Sequence, residues 1–234
     1  MSALGPGPIP AVLGAILARR VRQVAGSVEI LGLERARGRL DAAREEFPGR
    51  KLVLFYWIED VLPMMVTDAG ARGLLAPGAE EFRFVCDDSF GGRVAEALLS
   101  RLGRRTLLLR RRRPGERIRD LQRILRSREP MGIAVDGHGP YGRVGDAFPR
   151  LVESADACAV PLAAVADRAA RVRLRALLAV PARRSRIAVE VGAPVVATSA
   201  AGAVPFQAAL EATRAACRRS LAPAASQAAH EGAW

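Results

Sequence analysis

Seven apolar runs, spaced through the chain and lacking strict alternation, constrain this fold more than any other feature. They are "SVEIL" (27–31), "KLVLFYW" (51–57), "FRFVC" (82–86), "TLLLR" (106–110), "MGIAVD" (131–136), "ACAVPLAAVA" (157–166) and "RIAVEVG" (186–192). A strand with one wet face alternates apolar and polar residues, whereas a strand covered on both faces reads as a continuous apolar run. Helical patterns lie between the runs. "GRVAEALLSRLG" (92–103) closes on Gly103, a C-cap residue, and "PGERIRDLQRILRSRE" (114–129) opens on Pro114 and repeats Ile118, Leu121, Ile124 and Leu125. This alternation predicts an α/β fold with a mostly parallel central sheet flanked by helices. Ligands in such sheets sit at the carboxyl ends of strands, which places the candidate site in the loops after Trp57, Cys86, Arg110 and Asp136.

A chain of 234 residues, half of them hydrophobic, suits one such domain. Residues 1–25 form an N-terminal apolar and basic helix, 26–220 the α/β domain, and 221–234 an Ala-rich tail. The stretch from Ile9 to Ala18 is apolar or small, and Arg19, Arg20 and Arg22 follow it. A bilayer-spanning helix needs about 20 apolar residues, so this one does not cross. Two readings stay open: a helix packed on the domain's own core, or an anchor lying in an anionic membrane surface.

The net charge is +12, and Lys51 is the only lysine. Residues 101–128 hold twelve arginines against Glu116 and Asp120. Nucleic acid, an anionic membrane face and anionic substrates compete for this charge, and GC-rich coding accounts for part of it. Aromatic residues make up 5% of the chain and none lies in the arginine-rich segment, which argues against nucleic acid. Cys86, Cys158 and Cys217 have neither disulfide-framework nor zinc spacing; Cys86 and Cys158 read as buried thiols.

The stretch "MGIAVDGHGPYGRVGDAF" (131–148) spells G-x-G-x-x-G with Gly137, Gly139 and Gly142. A dinucleotide loop normally fills the first strand-to-helix turn, yet four strands precede this one. Pro140 also removes an amide from the loop. There is no nucleophile elbow, and no metal-ligand cluster is expected. The histidines are His138 and His230, the latter in the tail.

Taken in order, "YW", "VCDDSFGGRVAEALLSRLG", the arginine-rich turn, "AVDGHGPYGRVGDAFPRLVESADACAVPLAAVA" and "VPARRSRIAVEVGAPV" resemble the lysophospholipid acyltransferase-like superfamily, in its bacterial domain-of-unknown-function branch. The resemblance spans roughly residues 12–200 and implies a glycerolipid-acyltransferase-like α/β fold on the cytoplasmic face of the inner membrane. It implies transfer of an acyl chain from acyl-CoA or acyl-ACP, used as co-substrate rather than bound cofactor, to a lysophospholipid-type hydroxyl. The match is uneven. Trp57 is retained, but Ile58 stands where that branch carries its catalytic histidine. Phe90, Gly91 and Gly92 keep only the glycine of Asp-Gly-Glu. The Pro-Asp-Gly-Pro-Arg-Gly-Pro loop survives as Val135 to Pro140 without its arginine, for which Arg143 is the nearest substitute. The Gly192-x-Pro194 turn is retained.

A hydroxyl is a poor nucleophile near neutral pH until a base stands beside it. With Ile58 unable to serve, the expected base is His138, oriented by Asp136 or Glu59. Trp57, Gly137, Gly139, Arg110, Arg112, Arg113 and Arg143 are the expected substrate-binding residues. The alternatives are a non-catalytic relative that binds an acyl lipid or an acyl-carrier protein, and, last, a basic nucleic-acid binder.

Overall fold

The computed structural model describes residues 7–70, 82–109, 129–136, 141–174, 176–197 and 202–222. All seven apolar runs are strands. β1 is Glu29–Leu31, β2 Lys51–Tyr56, β3 Arg83–Asp87, β4 Arg105–Leu109, β5 Met131–Ala134, β6 Ala157–Ala166 and β9 Arg186–Val191. Two further strands, β7 (Ala169–Leu174) and β8 (Ala176–Pro181), form a separate antiparallel hairpin, and β10 is the pair Val195–Val196. The helices are α1 (Pro8–Ala25), α2 (Leu33–Glu46), α3 (Val61–Gly70), α4 (Phe90–Arg101), α5 (Ala147–Ser154) and α6 (Val204–Leu221). The 114–129 helix expected from sequence lies outside the described residues, apart from Glu129.

The main sheet runs β1-β9-β6-β2-β5-β3-β4, with β10 also on β6. β6, β2, β5, β3 and β4 are parallel, while β9 and β10 run antiparallel to β6. β2 is central and buried throughout, which is why its sequence does not alternate. Leu52, Leu54 and Tyr56 face one layer, with α1, α2, α3 and α4. Val53 and Phe55, with Trp57 just beyond, face the other, with α5 and α6. In that second layer Phe55, Phe148 and Phe206 form a three-ring cluster with centroids 5.2, 5.7 and 5.4 Å apart. All three cysteines are free and buried, as expected for Cys86 and Cys158.

α1 belongs to the first layer. Pro10, Gly14, Ala18, Val21 and Val24 are its buried residues, and it packs mainly on α4 and α3. Among the described residues no helix is long and apolar enough to cross a membrane.

The connections around β2 create the feature that matters for function. β2 leads through α3, on the first layer, to β3 two places away. β5, between them, leads through α5, on the opposite layer, back across β2 to β6. The two chains therefore leave the adjacent carboxyl ends of β2 and β5 on opposite faces of the sheet. A crevice opens at such a switch point, and it is the usual ligand site of an open α/β sheet.

Candidate active site at the switch point

β2 ends at Tyr56. Trp57, still extended, buries its ring in the second layer, and the chain then tightens into a 3-10 turn, Ile58–Asp60. β5 ends at Ala134, and two residues later Asp136 buries its side chain, leaving the residue 4% exposed. The Ile58 amide donates to Asp136 Oδ1 at 2.8 Å, and the Gly142 amide donates to Oδ2 at 2.9 Å. One carboxylate thus ties the turn after β2 to the point where the loop after β5 returns. Burial pushes the Asp136 carboxyl up, and the two amides pull against that shift. Gln207 of α6 holds the returning segment from the other side. Its Oε1 accepts from the Val144 amide at 2.9 Å, and its Nε2 donates to the Gly142 carbonyl at 3.0 Å.

The 3-10 turn is also held by charge. Arg214 of α6 donates from Nη2 to Glu59 Oε2 at 2.6 Å, and the same nitrogen lies 3.2 Å from Asp60 Oδ1. Arg171 of β7 donates from Nε to Glu59 Oε1 at 3.2 Å, so the β7–β8 hairpin is tied to the crevice through Glu59. Burial alone would raise the Glu59 carboxyl, but Arg214 and Arg171 together outweigh it and hold Glu59 below the usual range. Asp60 behaves oppositely. It is 2% exposed, and burial pushes its carboxyl up to about 7; Arg214 opposes the shift, while Glu59 and Asp136 add to it. Asp60 Oδ2 is buried with no hydrogen-bond partner among the described residues.

Next along the sheet, the end of β3 is shaped differently. Asp87 Oδ1 accepts from the Ser89 hydroxyl at 2.6 Å and its amide at 3.2 Å, and Ser89 Oγ caps α4 by accepting from the Gly92 amide at 3.1 Å. A Cβ on Gly92 would lie 2.0 Å from Asp87 Oδ1, so this motif glycine has a local steric reason.

Of the expected site residues, Trp57, Glu59 and Asp136 meet at the switch point. Asp136 and Glu59 engage backbone amides and arginines there, respectively. Arg143 is exposed and lies between Gly142 and Val144, both held by Gln207. Gly137, His138, Gly139, Arg110, Arg112 and Arg113 lie outside the described residues. Sequence reasoning names Asp60 only as a fallback base, beside Glu59, should His138 prove dispensable, and it did not select Arg171, Gln207 or Arg214 for the site. Asp60 had a signal, an acidic residue in the turn after the central strand. Arg214 and Gln207 had none, because α6 meets this turn only through the fold. Among the described residues no group of three or more His, Cys, Asp or Glu is placed to hold a metal ion.

No family model matches the chain, and no curated protein matches it. Among solved structures it is similar to the 1-acyl-sn-glycerophosphate (LPA) acyltransferase PlsC from Thermotoga maritima. The TM-score is 0.47 and the identity 10%, over 91% of this chain and 78% of that one.

Proposed function

We propose that this protein is an acyltransferase of lipid metabolism, moving an acyl chain from a thioester donor, acyl-CoA or acyl-ACP, to the hydroxyl of a lysophospholipid-type acceptor. One observation carries the reading. Two of the places where the superfamily resemblance is read, Trp57-Ile58 and Asp136, are far apart in sequence. They leave the sheet side by side at its switch point, joined by the 2.8 Å hydrogen bond from the Ile58 amide to Asp136. Buried carboxylates and a partly buried arginine beside an apolar strand end suit a site that positions a polar acceptor next to an acyl chain.

The partner surface in this reading is an anionic membrane. Ile9, Val12 and Ile16 are 65%, 58% and 57% exposed and form a stripe along the outer face of α1, continued by the exposed Arg19. An apolar helix face running into arginine fits the headgroup boundary of a cytoplasmic leaflet.

A second reading is favoured by Ile58 itself. Its side chain packs against the first-layer core and cannot accept a proton, which suits a relative that binds an acyl lipid without transferring the chain. Thiol release from acyl-CoA and acyl-ACP, measured with lysophosphatidic acid in anionic vesicles, separates the two. Acceptor-dependent release is the expected outcome. Lysolipid binding without release would establish the second reading instead.

A further inference from the structure

The acyl-transfer reading needs a base, and the turn after β2 carries a buried carboxylate with one oxygen left without a hydrogen-bond partner among the described residues. Asp60 stands two residues past Ile58, on the turn where the superfamily resemblance places a histidine. Its Oδ1 faces Arg214 Nη2 at 3.2 Å, which orients the carboxyl. Its Oδ2, buried and without a hydrogen-bond partner among the described residues, is free of any such tie. The other two carboxylates of the cluster have both oxygens engaged: Asp136 by two amides, Glu59 by two arginines. An orphaned buried oxygen costs free energy, and functional sites are where that cost is usually tolerated.

We propose that Asp60, through Oδ2, is the base that takes the proton from the acceptor hydroxyl in this chain. The inference rests on the acyl-transfer reading. As the proton passes to Oδ2, the acceptor oxygen attacks the thioester carbonyl carbon. The C–O bond forms and the C–S bond breaks; the sulfur leaves with the electron pair and takes the proton from Asp60. The carboxylate is regenerated, and no reactant beyond thioester and alcohol is consumed.

The surroundings suit a base working near neutral pH, where a positioned base is most effective when its pKa matches the medium. Asp60 is raised to about 7, chiefly by burial. Its charged neighbours are Glu59 on the same turn, Asp136 beyond β5, and Arg214 and Arg218 of α6; the Cys217 thiol of α6 is also within its field. Arg171 of β7 acts on it only through Glu59. β6, β8 and α3 pack on the same turn, but β6 and β8 contain no ionisable residue other than Cys158, and the single carboxylate of α3, Asp68, is bound to Arg104.

The test is the pH dependence of thiol release by the full chain, with an acyl thioester and lysophosphatidic acid in anionic vesicles, for wild type, Asp60→Asn, His138→Ala and Arg214→Gln. Wild-type turnover should rise with pH through an inflection near 7. Asp60→Asn, nearly isosteric, should lose about 10²–10⁴-fold in rate together with the inflection. His138→Ala should keep the inflection near 7, whatever its rate. Arg214→Gln should move the inflection upward, because it removes the cation that favours ionised Asp60; if that variant does not fold, Asp60→Asn decides alone. Full turnover in Asp60→Asn, or loss of the inflection in His138→Ala, would overturn the assignment and leave the acyl-transfer reading standing. No turnover by wild type would overturn both.

Discussion

Asp60 and Glu59 are neighbours in sequence, share Arg214, and yet titrate in opposite directions. Glu59 has two arginines; Asp60 has part of one, is more deeply buried, and lies within the field of two other carboxylates. The consequence for stability has a definite sign. The folded-state pKa of Asp60, about 7, stands above the ordinary aspartate value of about 3.9, so the folded chain holds this proton more tightly than the unfolded chain. The stability it contributes is fully present below about pH 4 and is lost as pH rises through 7, a difference on the order of 2–4 kcal/mol. Asp60→Asn imitates the protonated carboxyl. It should therefore melt several degrees above wild type at about pH 8 and nearly level with it at about pH 4.5, followed by thermal unfolding across pH. A lower melting temperature for Asp60→Asn at the higher pH would mean that attraction to Arg214 outweighs burial.

At the scale of elements, β6 shows how a residue that argues against a central strand can occupy one. Pro161 has no amide to donate, yet it pairs with Phe55 of β2 in mid-sheet. Its carbonyl accepts from the Gly192 amide at 2.9 Å, so its nitrogen faces the same neighbour, at the point where β9 ends and β10 has not begun. The missing donor falls on a break in the ladder. Gly192 is fixed there by close packing: a Cβ would lie 2.2 Å from Thr213 Oγ1 of α6 and 2.7 Å from the Pro161 ring. Gly192→Ala should destabilise the protein by about 1–3 kcal/mol, measured by denaturant unfolding. The long apolar runs were legible because burial on both faces leaves an unbroken signature in sequence. The β7–β8 hairpin was not, since "AARVRL" sets exposed arginines between small residues and pairs only with β8. α2 was equally faint: its buried stripe is just Ala36, Leu40 and Ala43, with Gly38 inside the helix. The end of β2 could be read as half of a site from Trp57 and Glu59. The clamp from Arg214 could not, because nothing local marks a helical arginine for a turn 155 residues away.

On the scale of the whole molecule, α1 bears out the core-packed reading, and its outer face is where the membrane reading can be tested. Its inner face is core, and its outer face is an exposed apolar stripe ending in arginine. With a net charge of +12, the approach of the molecule to an anionic surface is favoured before any apolar contact forms. Replacing Val12 and Ile16 by Glu should weaken binding to anionic vesicles by about tenfold or more. The melting temperature should barely change, because neither side chain belongs to the core. Vesicle sedimentation and thermal unfolding check the two halves of this expectation. Undiminished vesicle binding would remove α1 from the contact.

The placement of β2 also governs how the molecule comes into being. Val53 pairs on one side with Met131 and on the other with Ala159, and β1 has no partner before Arg186. A ribosome adding about 5–20 residues per second therefore releases this central strand, buried along its whole length in the folded protein, several seconds before either of its neighbours exists. Through that interval "VLFY" has both edges bare, the condition in which strands recruit other chains. The order of synthesis, which no variant at the crevice would alter, sets a window in which the yield of this protein depends on whatever shields a nascent chain.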